Sequence, residues 1–123
     1  MRVLVLDDDV HMHRFYRSIL RNVPDMRDIV CAQNEHEFSQ FVNIKKPDVI
    51  IADIHMEPLD GPSILRKYKS EIVGSNVFIM SCADSLAEET RVLREEDEIN
   101  VVEHISKPLN PIDLYEIFGH DPD

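Results

Sequence analysis

Three consecutive aspartates, Asp7, Asp8 and Asp9, follow the apolar run Val3–Leu6, and a fourth, Asp53, closes the run Val49–Ala52. Ser81 stands at the end of Val77–Met80, and Lys107 follows the weaker run that begins at Val101–Val102 and continues to Ile105. Carboxylates gathered at about 4 Å repel one another by roughly 4 kcal/mol per pair at an effective dielectric near 20. A hard divalent cation offsets that repulsion. Mg²⁺ in particular takes one or two protein carboxylates while keeping several waters and binding phosphate oxygens. A carboxylate screened in this way can attack phosphorus in line, with a lysine holding a further oxygen as a point charge. The chemistry open to this set is therefore Mg²⁺-assisted phosphoryl transfer. Taken alone, Asp7–Asp9 also reads as a turn and helix cap, Ser81 as a strand-end hydroxyl and Lys107 as a solvated lysine.

That chemistry requires elements that bring the four positions to one edge. The runs Val3–Leu6, Ile29–Ala32, Val49–Ala52, Val77–Met80 and Val101–Ile105 are short, rich in β-branched residues and not strictly alternating. Such runs suit strands covered on both faces, as in a parallel sheet. Between them Met12, Phe15 and Ile19, then Phe38, Phe41 and Val42, then Ile64, Leu65 and Tyr68 recur at helical spacing. Asn34 three before Glu37, and Ser85 three before Glu88, read as capping boxes, and Asn110-Pro111 as a cap and first helical residue. Asp60-Gly61 reads as a turn into the third helix. The acidic run Glu95–Glu98 reads as a solvated helix end that frays, because like charges there oppose the helix dipole. Five strands alternating with helices imply right-handed crossovers and a doubly wound parallel sheet, with its crevice beyond the carboxyl ends of the strands.

The 123 residues are 43% hydrophobic and 30% charged, the balance of one globular domain. We place that domain at residues 1–119, with 120–123 as a tail or the start of a linker. No apolar run approaches the roughly 20 residues of a membrane span. No basic stretch, apolar stretch and cleavage site follow Met1 in that order, so a cytoplasmic location is expected. Thirteen basic against twenty-four acidic residues leave a net charge of −11, which argues against direct binding to nucleic acid or to a membrane surface. Cys31 and Cys82 lack metal-ligand spacing, and no disulfide is expected.

The pair Asp7-Asp8, Asp53, Met56 with Asp60-Gly61 after it, Ser81 and Lys107-Pro108 occur in the order found in receiver domains of bacterial two-component response regulators. The chain resembles that family over essentially its whole length. The resemblance implies a flavodoxin-like (βα)5 fold with a five-stranded sheet of order 2-1-3-4-5. It further implies that Asp53 accepts a phosphoryl group, that Asp7 and Asp8 hold Mg²⁺ together with Asp53, and that the backbone carbonyl of His55 is a further ligand. Ser81 and Lys107 would contact the phosphoryl oxygens. Asp9 receives no metal role and is read as a cap. The implied partners are a histidine kinase or phosphotransfer protein, a C-terminal output domain and, after phosphorylation, a second copy of the chain.

Several positions depart from the family pattern. Proline follows Met56 only after Glu57, at Pro58. The approach to the fifth strand is longer and acidic, position 82 is Cys82, and the aromatic switch position is His104, an imidazole able to change charge near neutral pH. Ser81 and His104 together form the expected switch, acting on the surface built by the fourth helix, fifth strand and fifth helix. The string from His104 to Leu109 is similar to receivers joined to cyclic-di-GMP phosphodiesterase domains. The alternative to a phosphorylated receiver is a phosphorylation-independent interaction module on the same fold, motivated by Glu57 and His104. A Mg²⁺-dependent phosphohydrolase ranks below both, since no second acid stands near Asp53 to protonate a leaving group. The expectation is therefore a domain that catalyses only its own phosphorylation and dephosphorylation.

Overall fold

The apolar runs are the strands of one sheet: β1 (Arg2–Leu6), β2 (Asp28–Ala32), β3 (Val49–Asp53), β4 (Asn76–Ser81) and β5 (Val101–Ser106). Four helices separate them, α1 (Val10–Leu20), α2 (Glu35–Ile44), α3 (Gly61–Lys67) and α4 (Leu86–Glu95). The protein is represented by a computed structural model that describes residues 1–23, 25, 26, 28–81, 86–106, 112, 113 and 118. Cys82, the Ser85 cap, Lys107-Pro108, the Asn110-Pro111 helix start and the tail 120–123 lie outside the described residues. All pairings are parallel and the strand order is β2-β1-β3-β4-β5, the flavodoxin-like arrangement expected.

Two apolar layers cover the sheet. Leu4, Leu6, Ile50, Ala52, Val77 and Ile79 pack with Phe38 and Val42 of α2, Ile64 and Leu65 of α3 and Leu93 of α4. The alternate residues Val3, Val5, Val49, Ile51, Phe78 and Met80 pack with Tyr16, Ile19 and Leu20 of α1. Each central strand therefore buries both faces, which is why its sequence runs apolar without alternation. On α1 the buried stripe is Tyr16, Ile19 and Leu20, while Met12 and Phe15 are half-buried at its flank. The sequence spacing marked Ile19 of that stripe together with its flank, but not Tyr16 or Leu20.

The helix starts follow local chemistry. Asp9 caps α1, its carboxylate accepting the His11 N–H at 3.0 Å. Asn34 caps α2, accepting the Glu37 N–H at 2.9 Å, and Glu37 accepts from the Gln33 N–H at 2.8 Å. This is a capping box whose return bond lands one residue early. Asp60 caps α3 through the Ser63 N–H at 2.8 Å, with Pro62 in the first turn. At the end of α4 the acidic run is exposed at Glu95, Glu96 and Glu98, as expected, and it is also paired: Arg91 pairs with Glu95 and Glu96, and Arg66 binds Asp97 at 2.6 Å. Those cations offset the repulsion from which fraying was expected.

One irregularity shapes the far edge. The β4–β5 register shifts by one between Val77↔Val101 and Phe78↔Glu103. The bulge leaves Val102 nearly half exposed, and it inverts the side-chain alternation beyond it. Val101 consequently joins the α2–α3–α4 layer while Ile105, four residues on, joins the α1 layer.

Candidate functional site

β1 and β3 are adjacent, yet their following helices lie on opposite faces of the sheet, so the crevice between their carboxyl ends is the topological switch point. Asp7 follows β1 there and Asp53 ends β3. Asp7 continues the alternation of Val3 and Val5, and Asp53 that of Val49 and Ile51, so the pleat turns both toward the α1 layer. Asp7 is completely buried, Asp53 almost so, and Asp8 is exposed. One carboxylate oxygen from each of the three lies within 4.8 Å of the others.

Donors from the surrounding backbone and α1 hold these carboxylates. The Asp9 N–H donates to Asp7 Oδ1 at 2.9 Å, and the Tyr16 hydroxyl donates to Asp7 Oδ2 at 3.1 Å. The His55 N–H donates to Asp53 Oδ1 at 3.1 Å. His13 Nε2 lies 2.6 Å from the Asp7 carbonyl oxygen; because a carbonyl only accepts, that nitrogen carries the hydrogen. Burial, followed by the negative charge of Asp7, the hydrogen bond to it and the charge of Asp53, pushes the Tyr16 phenol far above its ordinary range. Asp9 caps a helix, as read from the sequence, while Asp7 and Asp8 each bring a carboxylate oxygen close to one of Asp53.

Of the remaining site residues, Ser81 and His104 lie on β4 and β5, and Lys107 lies outside the described residues. Met80 is the register partner of Asp53, and Ser81, almost fully buried, is the next residue on β4. His104 lies on β5 opposite Ile79 and is exposed. Gly61 was read only as part of a turn, but a Cβ there would meet the Asp53 carbonyl oxygen at 2.1 Å. The Gly61 N–H reaches the Ile54 carbonyl at 3.3 Å, and the Ile54 N–H reaches the Met80 carbonyl at 3.0 Å. The first turn of α3 thus rests on the backbone of Asp53. Tyr16 was not singled out either; the available signal was a tyrosine on an apolar helix face, whose hydroxyl needs a partner once buried.

Oxygen-only donors from three clustered carboxylates fit a hard cation of the Mg²⁺ type. A doubly wound sheet of this order with an acidic cluster at its switch point defines a receiver-type class of α/β domain. The chain belongs to the response regulator receiver domain family, whose sequence profile matches residues 3–118. It is 34% identical over 115 residues to a protein-glutamate methylesterase/protein-glutamine glutaminase from Caldanaerobacter subterraneus subsp. tengcongensis, covering 93% of this chain and 30% of that protein. A protein of the same name from Bacillus subtilis is 32% identical over 119 residues, covering 95% of this chain and 32% of its own length. The chain thus spans about a third of these relatives. Among solved structures, a Francisella response regulator receiver domain superposes with a TM-score of 0.76 at 25% identity, covering 96% of this chain and 93% of that one. No helix among the described residues is long and apolar enough to cross a membrane.

Proposed function

We propose that this receiver takes a phosphoryl group on Asp53 from a histidine kinase or phosphotransfer protein and passes the signal through its α4–β5 side and the segment after β5. The observation that carries the reading is the meeting of Asp7, Asp8 and Asp53 within 4.8 Å at the switch point. In the transfer, an Asp53 oxygen forms a bond to phosphorus as the P–N bond to the donor histidine breaks, leaving the electron pair on the imidazole nitrogen. Asp7, Asp8, Asp53 and the His55 carbonyl would hold Mg²⁺, which when bound would neutralise charge on the attacking carboxylate and the incoming phosphoryl oxygens. The His55 N–H on Asp53 Oδ1 orients the nucleophile. Ser81 and Lys107 bind phosphoryl oxygens, Ser81 by moving toward the group and Lys107 as a fixed charge. The space that Ser81 vacates admits His104 from solvent, which changes the α4–β5 surface.

The names of the relatives support a methylesterase/glutaminase-type module as the output such a receiver controls, in preference to a cyclic-di-GMP phosphodiesterase. The test is beryllofluoride, an acyl-phosphate mimic, added with Mg²⁺ while amide resonances are followed by NMR. The reading predicts shifts at residues 7–9, 53–56 and 81 and along β5, all absent in Asp53→Asn. A spectrum that does not respond would leave the phosphorylation-independent module as the better account.

A further inference from the structure

Tyr16 is completely buried in the layer between α1 and the sheet, where phenylalanine would fill the same space with no polar atom to satisfy. Its hydroxyl lies 3.1 Å from Asp7 Oδ2 and 3.2 Å from Met80 Sδ. One hydroxyl hydrogen serves one acceptor at a time, and a carboxylate oxygen is much the stronger acceptor of the two. Tyr16 therefore donates to Asp7, and the sulfur is left as a packing contact. The other Asp7 oxygen takes the Asp9 N–H at 2.9 Å. Asp7 is thus fixed at both oxygens while still bringing one within 4.8 Å of oxygens from Asp8 and Asp53.

We propose that Tyr16 is a positioning residue of the cation site, a buried phenol that locks the carboxylate of Asp7 in the orientation Mg²⁺ requires. This rests on the reading of Asp7, Asp8 and Asp53 as the Mg²⁺ site. Losing a group that holds a ligating carboxylate typically costs about 10–100-fold in metal affinity. Asp7, with no exposure to solvent, depends on such donors more than the exposed Asp8 does.

The test is an NMR titration with magnesium chloride on the unphosphorylated protein, comparing wild type, Tyr16→Phe, Met80→Leu and Asp8→Asn. Tyr16→Phe should bind about tenfold more weakly with its amide spectrum otherwise native, and Met80→Leu should stay within about twofold of wild type. A Tyr16→Phe affinity equal to or tighter than wild type would overturn the proposal while leaving the Mg²⁺ reading intact. The same holds if Met80→Leu weakens binding as much, because the effect would then be packing. Failure of Tyr16→Phe to fold would assign the phenol to stability instead. Wild-type binding that is absent, or that Asp8→Asn leaves unchanged, would defeat the Mg²⁺ reading and this inference with it.

Discussion

At Gly61, backbone approach decides the residue type. A Cβ would lie 2.1 Å from the Asp53 carbonyl oxygen and 3.0 Å from its carbonyl carbon, both backbone atoms that cannot swing aside. Gly61 stands at the start of α3, where an alanine with room to spare would stabilise by about 0.4–1 kcal/mol through the unfolded chain. The clash reverses that sign. Gly61→Ala should cost about 1–3 kcal/mol, the range for overpacking, measured by urea unfolding, and should slow phosphorylation because the strain is relieved by shifting Asp53. A neutral or stabilising result would remove the α3 turn as a support of the site. At this scale the sequence displayed Asp7, Asp8, Asp53 and Ser81 through their positions at strand ends. It did not display Gly61 or Tyr16, whose roles arise from the approach of Gly61 to the Asp53 backbone and of the Tyr16 hydroxyl to Asp7, contacts that exist only once strand ends and helices are assembled.

Helix starts were legible among the elements because caps are local: Asn34, Asp60 and Asp9 each accept an N–H two or three residues ahead. The β5 bulge was not, since register belongs to a pair of strands and one inserted residue moves every later side chain to the other face. The same limit applies to Glu35, at the start of α2, which pairs with Lys67 of α3 and accepts the Tyr68 hydroxyl at 2.8 Å. The bond from Lys67, then that from Tyr68, hold the Glu35 carboxyl below its ordinary value near 4.5. A depressed folded-state pKa stabilises above the unfolded value, and the contribution disappears as pH falls through the folded one. Wild type should therefore be more stable than Glu35→Gln at neutral pH, with the gap closing below about pH 4.5. Because the pair is solvent-screened the gap will be small, and chemical denaturation across pH 3–7 reads it. A gap that is constant or widens on acidification would show that the α2–α3 link is not ionic.

Over the whole molecule, alternation of short apolar runs with helical spacing was enough to yield the doubly wound sheet, because a strand buried on both faces can be covered only by helices from both sides. Strand order then brings the ends of β1 and β3 together, and with them carboxylates 46 residues apart in the chain. The cost of gathering like charges under a largely apolar layer is offset in part by the Asp9, Tyr16 and His55 donors. The central claim is that Asp53 is the acceptor, and reductive trapping with borohydride, which converts an acyl phosphate to an alcohol, tests it most directly. The protein is incubated with Mg²⁺ and a phosphorylated histidine kinase, trapped, digested and mapped by mass spectrometry. The account predicts a modified Asp53 alone, with no modification in Asp53→Asn. Modification at Asp7 or Asp8 in the intact protein, or trapping that persists in Asp53→Asn, would contradict it.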